Sequence, residues 1–177
     1  SKWLVVKWKY LMKESINKTF NHFKVHTQYS ICEGAVLIDN LKDFCKTNKI
    51  KSIGLSDTYN LSGALEFSEK LSSVGTQPII GTQILFKYKD FTGFIPLIAK
   101  NNDGYKNIIE LSSKSYLENS EITEAHCNFD DLLNKSSGII VLSGSIRCLL
   151  GILFNKGLSN EIDEIVTKLS RTFKNNL

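Results

Sequence analysis

Two histidines and a lysine alternate near the start of the chain, in the segment HFKVHTQYS (residues 22–30). If this segment is a β-strand, His22, Lys24 and His26 project from the same face, because side chains alternate along a strand with period two. Imidazoles spaced in this way can share a metal ion. The ammonium group of Lys24 cannot ligate a metal while it is protonated, and it repels a divalent cation. The segment therefore has the form of a metal-binding strand in which a cation occupies a ligand position.

The elements that would position these residues alternate in type along the chain. The hydrophobic pattern predicts strands at 20–27, 51–55, 78–86, 94–99 and 138–142. It predicts helices at 36–48, 62–74, 128–133 and 160–173, and a further helix from Asp103. This order indicates an α/β fold with a mainly parallel sheet, either open or closed into a barrel.

Three further details of the pattern can be compared with a structure. Residues 87–93 are expected to form a hairpin-type connection. The helix at 36–48 is expected to bury a stripe formed by Leu37, Leu41, Phe44 and Cys45. In α/β folds chemistry occurs at the carboxyl ends of strands. The polar residues at or near those ends are His26, Asp57, Gln83 and residues 143–145.

Composition narrows the class of protein. The 177 residues are 42% hydrophobic, enough for one domain with a sizeable core. A net charge of +4 from scattered lysines, with only Arg147 and Arg171 as arginines, favours a solvated basic surface over a phosphate-binding patch. No apolar run approaches the roughly 18 residues of a membrane span. The four cysteines are far apart, which favours free thiols in a reducing cytoplasm, with Cys45 and Cys148 buried.

The first residues differ from the rest of the chain. Residues 1–11 (SKWLVVKWKYL) alternate aromatic residues with lysines but lack the long apolar core and cleavage site of a signal peptide. Met12 is the only methionine and has the form of a natural initiation point. We therefore expect residues 1–19 to be an extension, with a native start at Met12, and residues 20–177 to form the domain.

Other residues capable of chemistry have simpler interpretations. His26 is expected to be a hydrogen-bonded structural histidine rather than a ligand. His126 lies beside Cys127, so a Cys–His nucleophile pair is an alternative, but adjacency in a polar connection supports it weakly. Gly81 and Gly104 are expected to serve the backbone geometry, since neither lies in a phosphate-binding glycine motif.

Five segments of the chain carry a resemblance to a known family: HFKVHTQYSICEGA (22–35), GLSDTYNLSGALEF (54–67), PIIG (78–81), LIAKNNDGYKNIIELSSKSYL (97–117) and GIIVLSG (138–144). Together they resemble the polymerase-and-histidinol-phosphatase (PHP) domain, in the form found at the N-terminus of bacterial replicative DNA polymerase alpha subunits. NNDGYKNIIELSS is the most specific of these motifs. The resemblance covers about residues 20–174 and implies a distorted seven-stranded βα barrel, here incomplete at its C-terminus, with a metal cleft at the strand ends.

Active members of this family hold up to three metal ions, zinc or manganese, and hydrolyse phosphoesters. The resemblance maps the family's cleft onto vestigial positions in this chain: His22, Lys24, Glu33, Asp57, Thr58, Gln83, Phe94 and Ser145. Lysine, threonine and phenylalanine stand where the family has histidine, glutamine stands for glutamate, and serine stands for cysteine. The family's last two ligands would lie beyond Leu177.

These losses predict that no multinuclear metal centre assembles and that no cofactor is bound; a single ion on His22, Glu33 and Asp57 is the weaker alternative. Lys24 is expected to pair with Glu33 or Asp57 and to replace the charge of the metal.

The resemblance implies a non-catalytic domain of a cytoplasmic DNA-directed DNA polymerase (a nucleotidyltransferase). Such a domain would support the remainder of the alpha subunit and dock the proofreading exonuclease subunit. It would meet DNA only through the full-length polymerase, and would meet no membrane. The alternative function is a metal-dependent phosphoesterase, either a 3′–5′ exonuclease or a pyrophosphatase.

Overall fold

The computed structural model describes residues 21–30, 33–118 and 124–177. The predicted extension (1–19), its Met12, the first residue of the first predicted strand and Cys32 lie outside the described residues. The strands are β1 (His22–Val25), β2 (Ser52–Leu55), β3 (Asp57–Thr58), β4 (Gln77–Ile79), β5 (Gly81–Tyr88), β6 (Phe91–Ala99), β7 (Cys127–Asn128) and β8 (Ile139–Val141). The helices are α1 (Ile38–Asn48), α2 (Ala64–Ser72), α3 (Asn102–Leu117), α4 (Phe129–Asn134), α5 (Leu149–Asn155) and α6 (Ser159–Phe173), followed by a 3₁₀ turn (Lys174–Asn176).

The strands form two adjoining sheets. The first has the order β1-β2-β4 and is parallel. The second has the order β3-β5-β6-β8, and β7 also pairs with β5. Only Ser56 separates β2 from β3, and only Ile80 separates β4 from β5, so two extended segments run from one sheet into the other. The α/β class predicted from the sequence is confirmed.

The prediction of a mainly parallel sheet is wrong for one side of the second sheet. There β6 runs antiparallel to both β5 and β8. The cause is the tight turn at Lys89 and Asp90, because strands joined by so short a connection must be antiparallel. The predicted hairpin is confirmed but is shorter than 87–93, since Lys87 pairs with Thr92 and Tyr88 pairs with Phe91.

Helix α1 begins two residues later than predicted. Its buried stripe consists of Ile38, Leu41 and Cys45, which recur at helical spacing. Leu37 precedes the helix as its N-cap and is 50% exposed, and Phe44 lies beside the stripe and is 51% exposed. The inclusion of Leu37 and Phe44 in the predicted stripe was therefore wrong.

Two apolar cores hold the sheets and helices together. One lies between the first sheet and helices α1 and α2, around the fully buried Phe67 and Leu55. The other lies between the second sheet and helices α3 to α6, around Phe86 and Ile108. Leu61 packs against both cores and joins them. Among the described residues, no helix is both long and apolar enough to cross a membrane.

The motif NNDGYKNIIELSS has a structural explanation at the start of α3. Asn101 caps this helix by accepting a hydrogen bond from the backbone N–H of Gly104 at 2.9 Å. A Cβ atom on Gly104 would lie 1.8 Å from the carbonyl oxygen of Gly138, so only glycine allows β8 to approach the helix. A Cβ on Gly81 would lie 2.4 Å from the carbonyl oxygen of Leu97. The prediction that Gly81 and Gly104 serve backbone geometry is confirmed.

Candidate functional site

One cleft gathers most of the predicted site residues. It encloses about 490 Å³ and receives side chains from the end of β1, from β5 and β6, and from the loop after β8. The lining residues are Lys24, His26, Glu33, Gln83, Phe94, Ser145, Arg147 and Cys148. The predicted convergence is confirmed for His26, Gln83 and Ser145, which line the same cleft, but Gln83 is the third residue of β5 and does not lie at the carboxyl end of that strand.

The structure places His26, and not His22, beside Lys24 in this cleft. His22 is the first residue of β1, at the amino end of the strand, and His26 follows its carboxyl end. His22 is not among the residues that line this cleft, and the metal-cleft position that the resemblance gave to it stays a prediction. His26 occupies the corresponding place at the strand end, where Nδ1 lies 3.4 Å from the hydroxyl of Ser30.

Asp57 lies beneath the cleft and is completely buried. Its Oδ1 accepts hydrogen bonds from the backbone N–H of Thr27 at 2.6 Å and from the hydroxyl of Ser30 at 2.7 Å. Its Oδ2 accepts from the hydroxyl of Thr27 at 2.6 Å. Three neutral donors thus disperse the charge of this carboxylate, as a buried ionised group requires. Asp57 ties the loop after β1 to the start of β3.

Thr58, Gln83 and Glu33 form a second chain of hydrogen bonds at the cleft wall. Thr58 and Gln83 are opposite each other on β3 and β5, and the Nε2 of Gln83 donates to the Oγ1 of Thr58 at 2.7 Å. The Oγ1 of Thr58 in turn donates to the Oε2 of Glu33. The Oε1 of Gln83 is buried and has no hydrogen-bond partner within the part of the chain that the structure describes.

The expected ion pair of Lys24 with Glu33 or Asp57 is not formed. None of the ion pairs among the described residues includes Lys24. Asp57 is already satisfied by neutral donors, and Lys24 is exposed on the surface of β1. Lys24 acts instead on His26, whose pKa is lowered by burial and then by the Lys24 charge, against the opposing effects of Glu33 and Asp57.

An aromatic row extends outward from the cleft. The ring of Phe94 packs edge-on against Tyr59 with the centroids 5.3 Å apart, and Tyr59 packs edge-on against Tyr116 at 6.4 Å. Tyr59 has a φ of +65°, an unusual conformation for a bulky residue. Its backbone N–H donates to the carbonyl oxygen of Gln83 at 3.0 Å, and its carbonyl accepts from the hydroxyl of Ser112 at 3.1 Å. Burial and the hydrogen bond to Glu124 raise the pKa of Tyr59.

The loop after β8 brings two lining residues that sequence reasoning missed, Arg147 and Cys148. Cys148 forms a parallel bridge with Phe94, and its backbone N–H donates to the carbonyl oxygen of Ser145 at 2.8 Å. Its Sγ lies 3.9 Å from the Oγ of Ser145. The sequence offered one indication that Arg147 is a functional residue, because it is one of only two arginines in the chain.

The donor set of the cleft does not fit a metal centre. Zinc and manganese sites are built from several imidazole, carboxylate or thiolate groups. Here the nearest approach between an imidazole and a carboxylate is 4.0 Å, between Nδ1 of His26 and Oε2 of Glu33. Among the described residues, no group of three or more histidine, cysteine, aspartate or glutamate side chains is placed to hold a metal. Lys24 and Arg147 add positive charge to the same space.

The alternative nucleophile pair at His126 and Cys127 is not supported. Cys127 is 2% exposed, and its Sγ donates to the carbonyl oxygen of Leu111 at 3.1 Å. Burial raises the pKa of this thiol to about 12. A thiol that remains protonated is a poor nucleophile. Cys45 and Cys148 are buried free thiols, as predicted.

The match to a family model decides the relationship of the chain to known proteins: the model of the PHP domain matches residues 22–177. The chain belongs to the PHP domain family. This PHP domain is 31% identical over 175 residues to the DNA polymerase III subunit alpha of Caulobacter vibrioides, covering 92% of this chain and 15% of that protein. It is 37% identical over 124 residues to the DNA polymerase III subunit alpha of Rickettsia felis, covering 70% of this chain and 10% of that protein.

The PHP domain thus spans only 10% and 15% of the length of these two relatives. Among solved structures it is similar to an amidohydrolase from Chromobacterium violaceum, with 13% sequence identity and a TM-score of 0.42. That comparison covers 83% of this chain and 54% of the amidohydrolase.

Proposed function

We propose that the chain is the N-terminal PHP domain of a replicative DNA polymerase III alpha subunit, preceded by the extension 1–19, and that it acts in DNA replication without catalysing hydrolysis. Its roles would be to scaffold the remainder of the alpha subunit and to provide the docking surface for the proofreading exonuclease. The observation that carries the proposal is the chemistry of the cleft, where a lysine and an arginine share the space with a single carboxylate, that of Glu33.

Hydrolysis of a phosphoester by this family would need a metal to activate water and to stabilise the charge that develops. Lys24, Gln83, Phe94 and Ser145 line the cleft, and none of them supplies a carboxylate or an imidazole. The three lining groups of ligand type, His26, Glu33 and the buried thiol of Cys148, are too few for a site with several ions. This donor set supports the proposal of a non-catalytic domain.

A scaffolding role agrees with the similarity to alpha subunits, since the PHP domain would be one part of a much longer cytoplasmic polymerase. The nucleotidyl transfer of such a polymerase would belong to other parts of the polypeptide. DNA would then reach this domain in the context of the full-length protein.

An exposed apolar groove supports docking of a protein partner. Ile146 is 66% exposed and Phe154 is 75% exposed, and both line a groove with Leu150 and Ile162 next to the cleft. Large apolar side chains clustered on a surface are typical of contact sites for other proteins. We assign this groove to the proofreading exonuclease.

The docking proposal is tested by titrating the chain with the proofreading exonuclease subunit encoded in the same genome, using calorimetry. We expect a complex with one exonuclease per chain, weakened at least about tenfold by Phe154→Ser, since a large buried anchor contributes about 2 kcal/mol or more. Leu65→Ser is the matched control, because Leu65 is 71% exposed on α2 and does not line this groove. Absence of a complex, or equal weakening by both variants, would contradict the docking role.

The non-catalytic proposal is tested by assaying hydrolysis of single-stranded DNA and of pyrophosphate with added manganese or zinc. No turnover is expected. Hydrolysis by the parent chain that is lost in His26→Ala would contradict the non-catalytic proposal. It would favour the alternative function, a metal-dependent phosphoesterase.

A further inference from the structure

We infer that the protein partner docked in the groove beside the cleft inserts a carboxylate side chain into the cleft, where Lys24 and Arg147 receive it. The groove is the one lined by Ile146, Leu150, Phe154 and Ile162. The contact segment of the partner would thus combine large apolar side chains with an aspartate or a glutamate. The inference rests on the proposed docking function and adds to it the chemistry by which the partner is recognised.

The groove and the cleft are neighbours that share one residue. Ser145 lines both of them. The next two residues divide between the two spaces, since Ile146 lines the groove and Arg147 lines the cleft. Consecutive Cα atoms are about 3.8 Å apart, so a segment seated on Ile146 lies within side-chain reach of the cleft. One partner segment can therefore occupy both spaces.

Two cations in the cleft are not used by the fold. Lys24 comes from β1 and Arg147 from the loop after β8, and both residues are exposed. Neither side chain takes part in an ion pair among the described residues. Two like charges that line one space repel each other, and an anion placed between them is attracted by both. The planar guanidinium of an arginine also matches the two oxygens of a carboxylate.

The one carboxylate that lines the cleft is held at its wall. The Oε2 of Glu33 accepts a hydrogen bond from Thr58 and lies 3.4 Å from the Nε2 of Gln83. The pKa of His26 is lowered by burial and then by the neighbouring lysine, so this imidazole is neutral at neutral pH. Two cations against one carboxylate leave the lining with a net charge of +1. The charge of the cleft is therefore complementary to one further carboxylate.

The groove favours a protein as the source of that anion over a nucleic acid. Ile146 is 66% exposed and Phe154 is 75% exposed, and the residues that line the groove are all uncharged. Large apolar side chains of a partner gain free energy by filling such a groove. The sugars and phosphates of a nucleic acid offer no comparable apolar group, and they are bound through basic surfaces. Apolar anchors in the groove and a carboxylate in the cleft together describe an acidic, apolar protein segment.

The two spaces would contribute differently to the complex. Apolar anchors buried at the centre of an interface supply most of its affinity, whereas charges at the rim supply specificity and speed of association. Salt screens the attraction between partly exposed charges but leaves apolar contacts in place. The affinity for the partner should therefore fall as the ionic strength rises. Lys24 and Arg147 should be responsible for that dependence.

The test is calorimetric titration of the chain with the proofreading exonuclease subunit encoded in the same genome, at about 0.05 M and about 0.3 M sodium chloride. Lys24→Ala and Arg147→Ala should each weaken binding at low salt by about tenfold, the effect of losing one charge-assisted hydrogen bond. Both variants should also show a smaller salt dependence than the parent. Lys46→Ala and Arg171→Ala, at exposed positions of α1 and α6, are matched controls and should bind as the parent does. Unchanged melting temperatures would show that the variants fold.

A short single-stranded oligodeoxynucleotide, titrated into the chain alone, tests the other source of an anion. We expect no binding that depends on Lys24 and Arg147. Binding of the oligonucleotide that is lost in both alanine variants would overturn the inference and would assign the two cations to nucleic acid.

The outcomes with the exonuclease distinguish this inference from the docking role itself. A complex that Phe154→Ser weakens, but that Lys24→Ala or Arg147→Ala leaves intact, would overturn the inference and leave the docking role standing. An affinity of the parent chain that does not change with salt would do the same. Absence of a complex under every condition would overturn both.

Discussion

Thr58 and Gln83 face each other across neighbouring parallel strands, and the amide nitrogen of Gln83 lies 2.7 Å from the hydroxyl oxygen of Thr58. At these two positions the resemblance to the PHP family implies a histidine and a glutamate. A threonine and a glutamine satisfy each other here, and Thr58 also satisfies Glu33. Hydrogen bonds thus join Gln83, Thr58 and Glu33 at this wall of the cleft.

Replacing Thr58 with valine should lower the free energy of unfolding by about 1–2 kcal/mol, because Gln83 and Glu33 each lose a hydrogen-bond partner while the shape is kept. Chemical denaturation measures the change. Thr92→Val, at an exposed position of β6, is the matched control and should stay within about 0.5 kcal/mol of the parent. Equal effects of the two substitutions would contradict a structural role for this chain of hydrogen bonds.

Asp57→Ala should be more damaging, with a loss of about 3 kcal/mol or more. It leaves the N–H and hydroxyl of Thr27 and the hydroxyl of Ser30 buried without their acceptor. Asp57→Asn keeps one acceptor oxygen and should show a smaller loss. Thermal or chemical unfolding distinguishes these outcomes, with Asp163→Ala on the exposed face of α6 as the control. A stable Asp57→Ala variant would show that this carboxylate does not hold β1 and β3 together.

The stability of the domain should depend on the protonation of His26. Its pKa in the folded state lies below the ordinary value of 6.5, so the unfolded chain binds more protons in the pH range just under 6.5. The free energy of unfolding contributed by His26 is therefore present above pH 6.5 and decreases as the pH falls through that range. Denaturation of the parent and of His26→Gln at several pH values should show a shallower pH dependence for the variant.

Lys24 provides an independent check on the same histidine. Since the Lys24 charge is the second cause of the lowered pKa, Lys24→Met should raise the pKa of His26. NMR titration of the imidazole measures this shift, and Lys46→Met should produce none. An unchanged pKa in Lys24→Met would mean that Lys24 and His26 do not share the cleft as described.

Cys127 should resist alkylation in the native protein. Its pKa of about 12 keeps the thiol protonated at pH 8, and the side chain is buried against α3. Iodoacetamide labelling followed by peptide mass spectrometry should find Cys127 unmodified until the chain is denatured. Rapid native labelling at Cys127 would revive the Cys–His nucleophile pair.

The sequence predicted the parts of the fold and site that depend on local patterns. Period-two alternation placed Lys24 of β1 and His26, which directly follows the strand, on one face, and the apolar runs located β2, β5 and β8. The helix pattern could not show that Phe44 lies on the exposed face of α1. Which side chains of α1 are buried depends on where α2 packs against it.

Long-range features of the cleft had no comparable signal. Arg147 and Cys148 reach it because the loop after β8 returns to pair with Phe94, a contact between distant parts of the chain. The choice between His22 and His26 depends on which end of β1 faces the cleft, and alternation alone treats the two equally. The expected ion pair between Lys24 and Asp57 is not formed, because Asp57 already accepts hydrogen bonds from the backbone and hydroxyl of Thr27 and from the hydroxyl of Ser30.

The most direct test of the central claim is the metal content of the chain after equilibrium dialysis against micromolar zinc or manganese, measured by elemental analysis. The donor set of the cleft predicts far less than one ion per chain, with no difference between the parent and His26→Ala or Glu33→Ala. One or more ions per chain, lost in both variants, would contradict the account and establish a metal centre in this PHP domain.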